Sequence, residues 1–325
     1  MRVAVDAMGG DSAPAVEVEG AVAAARGAAG ALEVVLVGRR AAIDAELERQ
    51  GAAGLPVSVV DAPDVIAMDE SPAAAVRRKR GASIVVAADL HKRGEVDGVV
   101  SAGNTGAVVA ATLLALGKLP GVRRPAIASL FPTVKDPVLV LDVGASLDSR
   151  PTDLLDFALM GEVFARHVLG RDRPRIGLMN IGEEQTKGGE VILEANRLLS
   201  ESPLHFIGNV QGRGLLRGEA DVVVCDGFVG NIMLKLTEGV IDLLAGVLTG
   251  ELRDGVIRAL AKQLDYAEYG GAPLLGVNGV VIIAHGSSSA KAIRNAVDVA
   301  ARFVDIDLDG KIVDSIGKVA AGDDR

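Results

Sequence analysis

Glycine-rich segments that also carry Asn, Asp, Ser or His recur along this chain, and most of them follow a short apolar run. Seven such segments cover residues 6–11, 101–106, 142–145, 180–184, 208–212, 226–231 and 285–289. Glycine lets the backbone approach a ligand closely, and the N–H groups at a helix start favour an anion such as phosphate. One such segment is often only a turn, but the whole series predicts a binding site for a phosphate-sized anion.

The residues in these segments that offer backbone N–H groups, amides or hydroxyls are the candidate anion ligands. They are Gly9, Gly10, Asp11, Ser101, Gly103, Asn104, Thr105, Asn180, Asn209, Gly230, Ser287 and Ser288. Helix capping is the alternative role for Asn104, Thr105, Ser287 and Ser288. The acids, Asp6, Asp11 and Asp226, are expected to orient loops, because like charges repel. No segment is a Walker A sequence, and no Gly-x-Gly-x-x-Gly follows the first strand, which disfavours a nucleoside triphosphatase or a standard dinucleotide fold.

The apolar runs before these segments are uninterrupted Val, Ile and Leu, typical of strands buried on both faces. They predict strands over 3–6, 34–37, 57–60, 98–100, 138–141, 176–179, 222–224 and 280–283, with helices over 14–26 and 40–50. Such alternation indicates an α/β fold with a mostly parallel sheet, whose carboxyl-end loops can converge on one cleft.

Longer-range features predict the domain organisation. Residues 1–325 are expected to form a single catalytic unit, or two subdomains around a central cleft, with the Pro- and Gly-containing segment 117–125 as the transition. Helix-like residues from Phe228 to Leu264, split by Gly250 and Asp254-Gly255, predict a helical hairpin over 228–265. The apolar faces of such a hairpin need a partner, so we expect the chain to form a homodimer through this hairpin.

Composition excludes several classes of protein. The 325 residues are 49% hydrophobic and 24% charged, as in a folded globular protein, and the net charge of −9 with 2% aromatics argues against a nucleic-acid partner. The single cysteine, Cys225, lies in a Val-rich run and is expected to be a buried, inert thiol, so neither an internal disulfide nor a Cys-based zinc site is possible. With no signal peptide before the first strand and no long apolar span, a cytoplasmic location is expected.

Taken in order, these segments resemble the PlsX-type acyl-ACP:phosphate acyltransferases, where ACP is acyl carrier protein, along essentially the whole chain. The matching stretches are 4–11, 101–107, 141–145, 180–184 with Lys187-Gly188, 206–210, 225–231, 269–276 and 285–288. The resemblance implies a three-layer α/β/α fold related to phosphate acetyltransferase and to the isocitrate and isopropylmalate dehydrogenases. It also implies a homodimer with a protruding helical hairpin.

The resemblance further implies the reaction of acyl-ACP with inorganic phosphate to give acyl phosphate and free carrier protein. The product feeds glycerol-3-phosphate acylation, which suggests coupling to a membrane acyltransferase, and family members are often peripheral at the inner face of the membrane. The hairpin tip over 248–257 is shorter and more acidic here than in the family, which weakens the case for membrane contact. Phosphate attack on a thioester requires no metal or other cofactor, so none is expected.

Three residues are the candidates for catalysis of that reaction. Lys187 is expected to meet phosphate or the developing oxyanion as a point charge, the alternative being a solvated lysine at a helix start. Asn231 is expected to open the helix after residues 226–230 and donate to the thioester oxygen, with capping as the alternative. His285 is a candidate to protonate the leaving thiolate or bind phosphate, although a lone histidine at a strand end is more often structural.

The dense basic run Arg77, Arg78, Lys79 and Arg80 is the candidate docking surface for the acidic carrier protein, the alternative being a solvated helix end. Two other functions stay open: an acetyl- or butyryl-CoA phosphate acyltransferase on the same fold, and a non-catalytic scaffold that binds carrier protein. A dehydrogenase is disfavoured, because neither a nicotinamide site nor a metal-binding aspartate cluster is evident.

Overall fold

The computed structural model describes residues 1–28, 30–247 and 270–322. The strands are β1 (Arg2–Asp6), β2 (Glu33–Gly38), β3 (Val57–Asp61), β4 (Gly98–Ser101), β5 (Ala126–Phe131), β6 (Val138–Leu141), β7 (Ile176–Met179), β8 (Phe206–Val210), β9 (Val222–Val224), β10 (Ala272–Leu275) and β11 (Val280–Ile283). The helices are α1 (Ala15–Gly27), α2 (Arg40–Arg49), α3 (Pro72–Arg78), α4 (Ser83–Lys92), α5 (Thr105–Leu116), α6 (Pro151–His167), α7 (Glu190–Glu201), α8 (Gly212–Leu216), α9 (Gly227–Val247), α10 (Ala290–Asp305) and α11 (Leu308–Gly322).

The chain divides into two compact units. The first comprises Met1–Leu119 and the described part of Tyr266–Asp309, and the second comprises the described parts of Pro120–Asp265 and Gly310–Arg325. The chain passes from the first unit to the second between Leu119 and Pro120, within a segment rich in proline and glycine.

The strands of the first unit run in the order β3-β2-β1-β4-β11-β10. All neighbours pair in parallel except β10, which is antiparallel to β11. Strands β1, β2, β4 and β11 are buried along almost their whole length, as their runs of Val, Ile and Leu predict. Helices α1 and α10 pack together on this sheet, and α4 packs against α5 as well as against β1 and β4.

The strands of the second unit run in the order β5-β6-β9-β7-β8. The pair β5–β6 is antiparallel, and the other neighbours are parallel. Helix α6 buries one apolar face against β6 and β9, with Phe157, Leu154 and Met160 fully enclosed. The parallel strands again carry their loops at one edge.

The sequence-based prediction of a mostly parallel α/β fold is confirmed, and the strands over 138–141, 176–179, 222–224 and 280–283 have the predicted bounds. Strands β5, β8 and β10 were not predicted. Pro273 occupies β10, and Gly208 with a positive φ of 96° occupies β8, so neither run reads as a regular strand.

The predicted hairpin over 228–265 is described only in its first part, because α9 ends at Val247 and the tip at 248–257 lies outside the described residues. No helix among the described residues combines the length and the apolar character needed to cross a membrane.

Candidate active site

The first unit gathers three of the glycine-rich loops. The register aligns Asp6 of β1 with Ser101 of β4, and Ser101 in turn with Ile283 of β11. The loops that follow these three neighbouring strands therefore start side by side at one edge of the sheet. They contain the predicted ligands Gly9, Gly10, Asp11, Gly103, Asn104, Thr105, His285, Ser287 and Ser288.

Asp6 and Ser101 support the first two of these loops through buried hydrogen bonds. The Ser101 hydroxyl donates to Asp6 Oδ2 at 2.7 Å and accepts from the Gly103 N–H at 3.1 Å. The Met8 N–H donates to Asp6 Oδ1 at 3.2 Å. Burial raises the pKa of the Asp6 carboxyl, although hydrogen bonds to its charged form oppose the shift. The hydroxyl of Ser101, predicted as a phosphate ligand, is fully buried and already bonded to Asp6, so it supports the loop from within.

Asn104 is the N-cap of α5. Its Oδ1 accepts from the Ala107 N–H at 3.1 Å, and its Nδ2 donates to the Met68 carbonyl at 3.0 Å. In this structure the Asn104 side chain therefore has the capping role, which was the alternative to binding the anion. The cap leaves the first amides of α5, at Thr105 and Gly106, beyond the reach of intrahelical bonding and at the positive end of the helix.

The first and last loops of this group are bonded to each other. The Asp11 N–H donates to the Gly286 carbonyl at 2.8 Å. In the last loop, the Ser287 N–H donates to His285 Nδ1 at 3.2 Å, and the Ser287 hydroxyl lies 2.7 Å from the same nitrogen. Because a backbone N–H can only donate, Nδ1 is an acceptor, and a neutral His285 carries its proton on Nε2. The imidazole is exposed and can present that N–H to an anion.

In the second unit, Asp142 organises the loop after β6. Its carboxylate accepts from the N–H groups of Ile127, Gly144, Ala145 and Ser146 and from the Ser146 hydroxyl, at 2.9–3.0 Å. Asp142 is fully buried. Asp142 lies in a glycine-rich segment of the sequence, but no role was predicted for it. Four of its five donors are backbone groups, which the residue types do not reveal.

The start of α9 packs against this loop through glycine. A Cβ atom on Gly230 would lie 1.8 Å from the Asp142 carbonyl oxygen, so only glycine permits this approach. The prediction that Asn231 opens this helix was wrong, because α9 begins at Gly227 and Asp226 Oδ1 caps the Val229 N–H at 2.9 Å. Asn231 is exposed on the second turn, free of the capping role, beside Gly144.

The loop after β7 carries Lys187. Asn180 Nδ2 donates to the Lys187 carbonyl at 2.9 Å, and Asn209 Nδ2 donates to the Glu184 carbonyl at 2.8 Å. The Lys187 side chain is exposed and forms no hydrogen bond or ion pair with the residues that the structure describes. The two amides therefore shape the loop, whereas the ammonium group is available to a ligand.

One of the seven predicted loops is corrected. Gly208, Asn209 and Val210 lie within β8, so the segment 208–212 leaves the strand only at Gln211. Asn209 is buried, and its Oδ1 accepts from Asn196 Nδ2 at 3.0 Å. Its amide groups are thus used within the protein, because it connects α7, β8 and the Lys187 loop.

Cys225 is buried, as expected from its Val-rich surroundings. Its thiol donates to the Asp142 carbonyl at 3.4 Å, and burial raises its pKa well above the ordinary value. A thiol that resists ionisation is a poor nucleophile.

The basic run lies in the first unit at the end of α3. Glu70 forms ion pairs with Arg78 at 2.7 Å and with Lys79, whereas Arg77 and Arg80 are exposed. The Glu70 carbonyl lies 3.4 Å from Asn104 Nδ2, so the run adjoins the loop that caps α5.

A cleft of about 660 Å³ opens in the second unit at the amino-terminal ends of β7 and β8, between α6 and α11. Its lining includes His167, Pro174, His205 and Lys318. Because the glycine-rich loops follow the carboxyl ends of these strands, this cleft is not part of the candidate active site.

Comparison with solved structures defines the fold. A phosphotransacetylase from Streptococcus pyogenes matches with a TM-score of 0.63 and 18% identity, covering 94% of each chain. The EutD phosphotransacetylase from Staphylococcus aureus matches with a TM-score of 0.60 and 15% identity, again over 94% of each chain. At these identities the likeness establishes the fold, which is the α/β fold of the phosphotransacetylases.

Sequence comparison then gives the family. A family model described as "Fatty acid synthesis protein" matches residues 1–310. The phosphate acyltransferase of Heliobacterium modesticaldum is 51% identical over 333 aligned positions, covering 98% of this chain and 99% of the relative. That of Geobacter sulfurreducens is 48% identical over 316 positions, covering 94% and 91%. The chain belongs to the phosphate acyltransferase family, enzymes of fatty acid and phospholipid synthesis.

Proposed function

We propose that this enzyme transfers a fatty acyl group from the thioester of acyl carrier protein to inorganic phosphate, releasing acyl phosphate. The observation that carries the proposal is the identity of about half of all residues with phosphate acyltransferases over nearly the whole chain. The acyl phosphate is then available to a membrane glycerol-3-phosphate acyltransferase, and we infer a location in the cytoplasm or at the inner face of the membrane.

The loops of the first unit supply the phosphate site in this proposal. The amides at the start of α5, the backbone N–H of Gly10 and the Nε2–H of His285 are neutral donors suited to a dianion, whereas the Gly9 N–H already donates to the Asp6 carbonyl at 3.4 Å. Asp6 does not oppose the anion directly, because its carboxylate is buried and bonded to Ser101 and Met8.

Two exposed side chains are proposed to stabilise the oxyanion. A phosphate oxygen attacks the thioester carbonyl, a C–O bond forms, and negative charge develops on the carbonyl oxygen. The free ammonium of Lys187 and the exposed amide of Asn231 are the donors proposed for that charge. Collapse of the intermediate breaks the C–S bond, and the leaving thiolate takes the proton that hydrogen phosphate loses on becoming acyl phosphate. His285 is proposed to hold this phosphate through its Nε2–H.

Carrier protein is proposed to dock on the run Arg77–Arg80. Arg77 and Arg80 have no ion-pair partner within the described ranges, so both charges can meet an acidic surface. The run adjoins the Asn104 loop, which brings a docked carrier close to the proposed phosphate site of the first unit.

The test is phosphate-dependent release of free carrier protein from palmitoyl-ACP by the purified enzyme. We expect acyl phosphate to form from palmitoyl-ACP, and Lys187→Ala to lower kcat about 10²-fold, as for loss of one oxyanion donor. Turnover of acetyl-CoA but not palmitoyl-ACP would support the CoA-dependent alternative. Binding of palmitoyl-ACP without any acyl phosphate would support the scaffold.

We further propose that α9 forms a homodimer contact with a second copy of the chain. Phe228, Ile232, Leu236 and Leu243 share one face of this helix and are 50–65% exposed. Such an apolar stripe is rarely left open in a monomer. Light scattering is expected to give the mass of a dimer, and Leu236→Glu with Leu243→Glu to give a monomer with unchanged helix content.

A further inference from the structure

Glu17 is a buried carboxyl group beneath the first glycine-rich loop. It lies in the first turn of α1 and is 1% exposed. A Cβ atom on Gly10 would lie 2.0 Å from Glu17 Oε1, so the carboxyl group rests against the loop backbone. Its Oε2 is buried and has no hydrogen-bond partner among the described residues.

The charged groups that act on Glu17 have the same sign. Burial raises the pKa of Glu17 to about 7, and the charges of Asp6 in β1 and Asp11 in the loop add to the shift, whereas a hydrogen bond from the backbone of Glu17 itself opposes it. Helix α10 presents the neutral Ala290 and Ile293 to Gly20, one turn further along α1.

Two basic residues near α1 lie at its other end. Arg294 approaches Gly27, and Arg26 donates to the Gln50 carbonyl. Among the described residues, the charges that act on Glu17 are those of Asp6 and Asp11, and no cation is among them.

We propose that Glu17 is a positioning residue of the anion site, and that the Gly9-Gly10-Asp11 loop accepts a phosphate-like dianion only while Glu17 carries a proton. The proposal rests on the proposed function, in which this loop binds phosphate. An ionised carboxylate directly beneath the loop repels the dianion, whereas the protonated acid does not. Since Asp11 is bonded to Gly286, a displaced loop also disturbs the His285 loop.

Sulfate is the probe, because it stays a dianion over the range in which phosphate and Glu17 titrate. In wild-type enzyme we expect sulfate affinity to fall on the order of tenfold between about pH 6 and about pH 8.5, with uptake of about one proton per sulfate at the higher pH. Calorimetry in buffers of different ionisation enthalpy measures both quantities without any substitution.

Glu17→Gln imitates the protonated acid and is expected to bind sulfate with an affinity that changes less between the two pH values than that of wild type. Glu19→Gln makes the same charge change at an exposed position of the same helix and is expected to behave as wild type. Carbon-13 NMR of the glutamate carboxyl groups should detect one that titrates near neutral pH, and sulfate should raise its midpoint.

Sulfate that binds with equal affinity and without proton uptake at both pH values would overturn the role of Glu17 while leaving the phosphate site intact. Retention of the wild-type pH dependence in Glu17→Gln would do the same. If sulfate leaves the amide signals of Gly10 and Thr105 unchanged at about pH 6, the phosphate site itself is misplaced and the role of Glu17 falls with it.

Discussion

Replacing Asp142 with alanine removes the acceptor of five hydrogen bonds at the end of β6. Each bond to a charged acceptor contributes about 1.5–3 kcal/mol, but the donors at Ala145 and Ser146 are only partly buried and regain water. The Ile127 amide lies on a buried strand and loses its partner outright. We therefore expect the second unit to lose about 4 kcal/mol of stability.

Asp142→Asn should have an intermediate effect of about 2 kcal/mol, because its NH₂ group meets the Ser146 donors where a carboxylate oxygen stood. The matched control is Asp148→Ala in the same loop, where the side chain is 91% exposed and the expected change is below about 0.5 kcal/mol.

Hydrogen exchange read by mass spectrometry over Val138–Leu141 and over 143–146 is the direct assay, because it reports on this part of the second unit. The alanine variant should exchange faster there. Its kcat should also fall, because α9, which carries Asn231, packs against the same loop. A change within about 1 kcal/mol of wild type in Asp142→Ala would mean that the carboxylate does not hold this loop.

Three further predictions concern Asp309, Cys225 and the basic run. Burial, followed by the charge of Asp307, raises the pKa of Asp309 to about 7. The folded state therefore binds this proton more tightly than the unfolded state, and stability falls as pH rises from about 4 to about 7. Asp309→Asn should be more stable than wild type by about 1–3 kcal/mol at about pH 8 in thermal unfolding, and equal stability there would contradict this. Cys225→Ala should retain turnover, and loss of turnover in a folded variant would indicate an acyl-cysteine intermediate. Joint charge reversal of Arg77 and Arg80 should raise the KM for acyl-ACP about tenfold and spare a small acyl thioester, whereas equal effects on both substrates would refute docking there.

Much of the fold was predictable because buried parallel strands have a distinctive composition. The runs at 138–141, 176–179, 222–224 and 280–283 are uninterrupted and apolar, and each became a strand with those bounds. Strand β8 was not predicted because Asn209 and Gly208 interrupt the apolar pattern. The segment forms a strand because it pairs with β7, which is a long-range contact.

The sequence by itself determined the family, the α/β class and the loops that offer donors to an anion, because glycine, asparagine and serine reveal their chemistry by type and spacing. Only the tertiary structure decided what each side chain does. The Ser101 hydroxyl donates to Asp6, the Asn104 side chain caps α5, and Asn231 lies in the second turn of α9. The roles of Asp142 and Glu17 depend on burial and on backbone partners brought together by folding, and neither is encoded in the type of residue or its neighbours in the chain.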